Sequence, residues 1–307
     1  GVLYFPKIKK EIEPNRNKIQ LYSNQVYVTD NVEDIVPEYL MLLHGVIDSP
    51  DIPLNVSRSS LQSDGAVKKI TSHISKKVAD KLADLHKADF EDYKSKWESI
   101  SIFVKYGMLS DDKFYDRAKG ICLLQNTEKE YYSIDEYIAK IEPNQTDKDG
   151  NKIGLYTNDA DKQHSYVDAA INKGYDVLLL DELIDNHFIS NLEQKNDKFQ
   201  LKRVDADTAG KLIDKDEKSE SVLSEDEVTK LKAAFEGVVN KDKYTIVSEV
   251  MSPEEAFITI TRSEWERRMS EMGGMGGMQM FGQMPEKYSV AVNTNHALAN
   301  KVLKAEG

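Results

Sequence analysis

The stretch Gly45–Gln62, which reads GVIDSPDIPLNVSRSSLQ, carries the strongest single signal in this sequence. Two prolines, Pro50 and Pro53, each fix φ at about −65° and disfavour helical geometry at the residue before them. Residues 49–53 are therefore expected to form a rigid, non-helical connection. The apolar–polar–apolar triplet at 54–56 then has the alternation of a short, half-buried strand.

Arg58 follows that strand and directly precedes, or opens, a helix expected to begin near Ser59. A guanidinium group held on stiff backbone presents five donors in a fixed fork, an arrangement that suits a phosphate group. Pairing with a nearby carboxylate is the commoner role of such a side chain, and on the residues alone it is favoured.

These residues resemble the middle-domain signature of the heat-shock protein 90 chaperone family, in its bacterial form. Further pieces of the pattern follow in order: VYVTD at 26–30, VPEYL at 36–40 and GYDVLLL at 174–180. Gly45–Gln62 is highly specific as a motif of this family. Each of the other motifs is weak evidence by itself, and together they support the resemblance because they occur in the expected order. The resemblance therefore extends over essentially the whole chain.

The resemblance implies an α/β chain of the α+β multi-domain kind: a partial α/β sandwich, a helical coil, a small α/β unit and an α+β C-terminal domain. Residues 1–120 are then expected to be most of a middle domain, 121–207 its small α/β part, and 208–307 a C-terminal domain for dimerisation and client binding. The sequence starts without methionine, and the resemblance implies that a nucleotide-binding domain and the first part of the middle domain come earlier, so we expect a fragment of a longer protein.

Hydrophobic periodicity predicts the elements of the first half. Strands are expected at 2–5 and 19–29, two short helices around Pro37 within 32–43, and helices over 66–119 with a third at 114–124. Trp97 falls on the apolar stripe of the second helix, which favours a core position over a binding anchor. Ser133 and Glu136 have the spacing of a capping box for a helix that ends at Ile141.

The second half begins with a strand–helix–strand pattern at 153–157, 166–173 and 177–180, which is typical of a parallel sheet. Residues 205–227 are heavily charged without an apolar cluster, and a domain boundary is placed there. Beyond it the pattern predicts helices at 228–238, 263–272 and 296–303 and strands at 245–250, 257–260 and 288–292.

Composition excludes several classes of protein. A formal net charge of −12 argues against a nucleic-acid partner, and no apolar run is long enough to span a membrane. The single cysteine, Cys122, rules out an internal disulfide and fits a reducing, cytoplasmic location. Its apolar neighbours predict a buried, inert thiol.

Arg58 and Gln62 are the only candidate catalytic residues that the sequence indicates. The resemblance implies that Arg58 contacts the γ-phosphate of a nucleotide bound by a separate ATPase domain, with Gln62 in support; such an arginine neutralises charge on the transferring group. ATP and Mg²⁺ would be bound by the full-length protein and neither by this chain, which we expect to be inactive alone. Other enzyme motifs are missing from the sequence, and its six histidines lack metal-ligand spacing.

The second lead is a methionine-rich stretch. Its candidate client-binding residues are Trp265, Met269, Met272, Met275, Met278, Met280 and Phe281. Methionine side chains adapt to many shapes, whereas glycines at 273, 274, 276 and 277 disfavour a continuous helix. A core role and a binding role are balanced on chemistry, and the resemblance favours binding of non-native client proteins. A second client position of the family falls at Asn186 and His187. Bacterial members often carry an acidic residue and a tryptophan there, and histidine offers much less apolar area than tryptophan.

The sequence thus predicts a chaperone segment that completes an ATPase and binds clients. The alternative is a non-catalytic scaffold or interaction module without any link to ATP. The resemblance also implies that the full-length protein is a homodimer through C-terminal helices. Because 296–303 is the last helix predicted here, we expect this fragment to be monomeric.

Overall fold

The computed structural model describes residues 1–5, 18–30, 32, 35–41, 43–50, 65–215, 220–275 and 286–305, with only the backbone of 18, 65–67 and 270–275. The chain divides into two compact units. The first unit comprises residues 1–124, 131–137 and 182–192, and the second comprises 125–130, 138–181 and 193–307. Helices and β-sheets are both present, which confirms the predicted α+β class.

The first unit opens with a four-stranded mixed sheet in the order β1-β4-β2-β3. Its strands are β1 (Val2–Tyr4), β2 (Lys18–Ser23), β3 (Val26–Thr29) and β4 (His44–Asp48). The prediction of one strand over 19–29 is wrong, because Asn24 and Gln25 have φ of 50° and 66° and turn the chain into a hairpin. β4, which runs parallel to β2, was not predicted.

The segment around Pro37 contains a 3₁₀ helix at Glu38–Leu40. Before the proline, the carbonyl of Val32 accepts hydrogen bonds from the amides of Ile35 and Val36, each at 2.9 Å. In the described residues this part of the chain is a hydrogen-bonded turn, so the predicted pair of helices is corrected to a turn and a 3₁₀ helix.

Three helices follow the sheet in the first unit: α1 (Gly65–Ala88), α2 (Phe90–Ser110) and α3 (Asp112–Ala118). The predicted extension of α3 to Leu124 is wrong. The carbonyl of Ala118 accepts from the amides of both Ile121 and Cys122, which closes the helix, and Leu123–Gln125 forms strand β5.

The apolar stripes of α1 and α2 face the core as predicted. Leu82 and Trp97 are both buried, so Trp97 is confirmed as a core residue. Cys122 is also fully buried, and burial raises the pKa of its thiol to about 12. The predicted inert thiol agrees with this environment, since thiolate is scarce at neutral pH.

A buried ion pair fixes the start of α6 (Asp185–Lys195) within the first unit. The Lys105 ammonium lies 2.6 Å from the Asp185 carboxylate and 3.0 Å from that of Glu182, and Lys105 is 5% exposed. Burial alone would lower the pKa of Lys105, but the two carboxylates raise it, so the ammonium stays charged.

β5 pairs with β6 (Tyr131–Ser133), and α4 (Ile134–Ile141) follows directly. The predicted capping box is present at the start of α4. The Ser133 amide donates to the Glu136 carboxylate at 2.8 Å, and the Glu136 amide donates to the Ser133 hydroxyl at 3.4 Å. Two orphan amides are thereby satisfied, which explains why α4 begins at this residue.

The second unit contains a three-stranded parallel sheet in the order β8-β7-β9. Its elements are β7 (Lys152–Thr157), α5 (His164–Asn172), β8 (Val177–Leu179) and β9 (Phe199–Arg203). The predicted strand–helix–strand order is confirmed, and Gly174 ends α5 with a φ of 76°. Both α6 and β9 were missed by the sequence analysis.

The charged stretch at 205–227 is not free of apolar clusters, contrary to prediction. Leu212 and Ile213 are buried in one core cluster with residues such as Ile153 and Val177 of the parallel sheet. The two side chains are isolated among charges in the sequence, so only their tertiary contacts show them to be core.

A second sheet has the order β10-β12-β11 and is packed against helices. Its elements are α7 (Glu225–Glu236), β10 (Tyr244–Glu249), β11 (Ile258–Thr261), α8 (Glu264–Met275), β12 (Tyr288–Asn293) and α9 (Ala297–Ala305). β12 is parallel to β10 and antiparallel to β11, which leaves β11 at an edge. All six elements match the predicted order.

Replacing Lys105 with methionine should destabilise the chain by about 3–5 kcal/mol in urea unfolding, because the buried Asp185 loses its counter-charge. Lys96→Met is the matched control, since Lys96 pairs with Asp92 on the surface and its loss should change stability by less than about 1 kcal/mol. Equal effects of the two substitutions would contradict a structural role for the buried pair.

Candidate functional site

The two leads from the sequence fall in different parts of the chain. Arg58 and Gln62 lie outside the described residues, as does the predicted strand at 54–56, so the phosphate-contact prediction stays a prediction. The methionine-rich stretch is partly described: α8 carries Trp265 and Met269 with their side chains, and Met272 and Met275 with backbone alone. Met278, Met280 and Phe281 lie outside the described residues.

The helix α8 begins at Glu264, directly after Ser263, as predicted. It continues through Gly273 and Gly274 to Met275, so the expectation that these two glycines interrupt it is wrong. Glycine costs about 1 kcal/mol relative to alanine in a helix interior, so a helix that includes two glycines depends on contacts elsewhere along its length.

The first of those contacts is a buried guanidinium group. Arg267 is 3% exposed, and its Nη2 donates to the hydroxyl of Tyr156 on β7 and to the carboxylate of Glu264. The Tyr156 hydroxyl in turn donates to Glu264 at 3.2 Å. These three groups form a closed polar cluster, which we call the α8 clamp.

Arg268 extends the α8 clamp to α6 and β9. Its guanidinium group makes a bidentate contact with Glu193, at 2.8 and 3.1 Å, and donates to the Leu201 carbonyl at 2.7 Å. Its Nε also donates to Glu264 at 2.7 Å. Bidentate guanidinium–carboxylate pairs restrict orientation, so the start of α8 is held from two sides.

The charge state of Glu264 follows from this arrangement. Burial alone would raise its pKa, but the guanidinium groups of Arg267 and Arg268 outweigh burial and lower the pKa below its ordinary value. The carboxylate therefore stays ionised at neutral pH and remains an acceptor for both arginines.

The clamped residues leave the opposite face of α8 to solvent. Trp265 is 63% exposed and Met269 is 43% exposed, and a spacing of four residues places them on one side of the helix. Trp265 also borders an open surface cavity of 600 Å³ whose other wall includes Leu201 and Lys202 of β9. Position 272 continues the same stripe by helical period. Of the predicted binding residues, the structure thus brings together Trp265 and Met269.

The other expected client position lies in the first unit. Asn186 and His187 are exposed on the first turn of α6, next to the buried Asp185, and Leu183 just before them is 90% exposed. The Lys105–Asp185 pair fixes this turn, so the exposed residues are presented from a rigid base.

Sequence reasoning missed the α8 clamp. The spacing of Glu264 to Arg267 and Arg268, three and four residues, was a detectable signal for a charged helix face. The decisive partners, Tyr156 and Glu193, are more than seventy residues away in sequence, at separations of 111 and 75 residues from the arginines that they contact.

The described part of the chain contains no cluster of three or more metal-ligating side chains. Across the same residues, no helix combines the length and apolar character needed to cross a bilayer.

Comparison with known proteins places these features in a family. Residues 2–306 match the family model described as Hsp90 protein. The chain is 47% identical over its full length to Chaperone protein HtpG of Bacteroides thetaiotaomicron and covers 46% of that relative. It is 49% identical to Chaperone protein HtpG of Porphyromonas gingivalis, of which it covers 45%. A Wolbachia relative with the same name is 29% identical over 99% of the chain. The chain therefore spans just under half the length of these relatives.

Glu264→Gln should lower stability by about 3 kcal/mol at neutral pH and weaken its pH dependence in acid. Because the native pKa is lowered, the unfolded chain takes up this proton first as pH falls below about 5, near an unfolded pKa of about 4.3. The wild type therefore loses this contribution as pH falls through the native pKa, and the variant has none to lose. Urea unfolding between pH 7 and pH 3 measures both effects.

Glu236→Gln, on the surface of α7, is the control for a carboxylate outside the α8 clamp. If both variants follow the wild-type acid limb, Glu264 does not contribute to it.

Proposed function

This chain belongs to the Hsp90 protein family, and we propose that it is the segment of a chaperone that binds non-native polypeptides. The observation that carries the proposal is the exposed Trp265–Met269 face on a helix whose other face is clamped by buried charges. The names of the relatives support a chaperone role.

The exposed face of α8 favours binding through the hydrophobicity of its side chains and through their adaptable shape. Burying a tryptophan or methionine side chain against a partner yields about 1.5–3 kcal/mol, which favours contact with any exposed apolar segment. Methionine adapts to partners of different shape, whereas a rigid helix loses little entropy on binding. A clamped helix with an adaptable apolar face is therefore suited to partners that share hydrophobicity and little else.

Trp265→Ser with Met269→Ser should raise the concentration of chain needed for half-suppression of client aggregation by roughly tenfold, since the lost contacts exceed about 1.4 kcal/mol. Thermal stability should change little because both side chains are solvent-exposed. Light scattering of a thermally unfolding client measures the effect.

Val238→Ser is the matched control, since Val238 is an exposed apolar residue after α7. Undiminished suppression by the double variant would contradict the binding role. A large fall in melting temperature would instead assign Trp265 and Met269 to the core.

We also propose that Arg58, supported by Gln62, completes the ATPase of a separate nucleotide-binding domain that holds ATP and Mg²⁺. The family relationship and the proline-stiffened sequence before Arg58 support this role. An arginine at a transferring phosphoryl group stabilises charge that develops in the transition state.

Arg58→Ala should reduce ATP turnover on the order of 10³-fold when the chain is joined to, or mixed with, a nucleotide-binding domain of the same family. Arg117→Ala, which alters a surface contact to Asp80, should leave turnover unchanged. An unchanged rate for Arg58→Ala would favour the alternative of an interaction module without a link to ATP.

A further inference from the structure

The edge strand β11 carries backbone groups that point away from its sheet. The Asn293 amide donates to the Phe257 carbonyl at 2.9 Å, which sets the phase of the antiparallel ladder between β11 and β12. Hydrogen-bonded pairs alternate along such a ladder, so Thr259 and Thr261 bond to β12. The backbone groups of Ile258 and Ile260 therefore point to the open side.

Part of this open side already has partners. The Tyr166 hydroxyl, from α5, donates to the Ile260 carbonyl at 2.5 Å, and the Arg262 amide donates to the Asp205 carbonyl at 3.0 Å. In the described part of the chain, three consecutive edge groups remain without a partner: the amide and carbonyl of Ile258 and the amide of Ile260. They form the donor–acceptor pattern of a strand that lacks its neighbour.

These groups face a groove within the second unit. The β11–α5 groove has a volume of 870 Å³ and lies between the open side of β11 and the helix α5, with the turn at 251–256 along its rim. The Lys173–Glu255 ion pair, at 3.3 Å, and the Tyr166 contact connect its two walls. Ile258 and Ile260 are 41% and 45% exposed beside it.

The rim of the β11–α5 groove is acidic. Asp168 on α5 and Glu254 on the turn line it, and no described cation forms an ion pair with either carboxylate. Glu255 is compensated by Lys173, so the two other carboxylates leave a negative rim. A partner with basic residues next to its apolar residues complements this charge.

We propose that the β11–α5 groove binds an extended polypeptide segment, with apolar residues flanked by lysine or arginine, as an added strand on β11. The inference rests on the proposed chaperone function and assigns a second contact for its clients. Main-chain amides and carbonyls occur in every polypeptide, so pairing with Ile258 and Ile260 is independent of client sequence. The exposed isoleucines and the acidic rim then set a broad preference among segments.

Amide exchange tests the pairing at single residues. The probe is the acetylated peptide Lys-Val-Thr-Val-Thr-Val-Lys, added to chain labelled with ¹⁵N-isoleucine and ¹⁵N-threonine. The amides of Ile258 and Ile260 should exchange at least about tenfold more slowly with bound peptide, whereas Thr259 and Thr261, already bonded to β12, should not change. Binding that leaves Ile258 and Ile260 unprotected, or that protects all four residues equally, overturns the added strand.

Matched probes and variants test the cause of binding. The same peptide with all of its backbone amides N-methylated cannot donate to the ladder from either edge and should bind at least about tenfold more weakly, as should the unmethylated peptide to Ile258→Lys with Ile260→Lys. Val238→Lys is the control for adding a cation to an exposed apolar site. Equal affinity for the methylated peptide, or for the double variant, overturns the proposal.

The charge preference has its own test. A glutamate-flanked peptide should bind more weakly than the lysine-flanked one, and Asp168→Lys with Glu254→Lys should reverse that order. An order that stays the same in the variant overturns the role of the rim.

Aggregation suppression, measured on the same samples, separates the two proposals. Suppression without protection of Ile258 and Ile260 rejects the groove and keeps the chaperone function. Protection without suppression supports the groove as a peptide site and rejects the chaperone function for this chain.

Discussion

The guanidinium group of Arg267 is 3% exposed and donates to both the Tyr156 hydroxyl and the Glu264 carboxylate. A buried guanidinium without such partners is strongly unfavourable, so the helix that carries it is restricted to orientations that preserve both contacts. This constraint turns the Arg267 side of α8 toward β7. It therefore leaves Trp265 and Met269 on the solvent side, although both are apolar.

The first unit repeats this design with a different ion pair. Lys105 and Asp185 are buried together, and the exposed turn at Asn186 and His187 follows directly in the chain. In both units, buried charges hold a helix start in place and exposed side chains lie beside them. Such pairs add little net stability over apolar packing, but they penalise wrong orientations heavily because a misplaced charge would be buried alone.

Features set by local chemistry could be predicted from the sequence. The capping box at Ser133 and Glu136 and the helix end at Gly174 agree with the structure, because each depends on residues within one turn. The parallel order of β7 and β8 also followed from local patterns, since a short apolar run after a helix is typical of such a sheet.

Features without a clear signal in the sequence could not be predicted. The turn at Asn24 and Gln25 is local but lacks glycine, so the segment has the pattern of a continuous strand, whereas Leu212 and Ile213 join the core only through distant tertiary contacts. In the candidate site, the exposure of Trp265 depends on Tyr156, whose side chain the sequence does not connect to α8. The methionine pattern predicted an apolar face, but its direction was decided by the buried arginine.

Amide exchange of α8 in Tyr156→Phe tests this account most directly, because the substitution removes the hydroxyl that contacts Arg267 and keeps the ring. The account predicts that amides 267–272 exchange at least about tenfold faster in the variant, which corresponds to a loss of about 1.4 kcal/mol, while those of β10 and β12 are unchanged. Tyr288→Phe, which removes an exposed hydroxyl contact to Glu286, should leave α8 as in the wild type. Wild-type exchange in α8 of Tyr156→Phe would contradict the claim that this buried contact holds the helix.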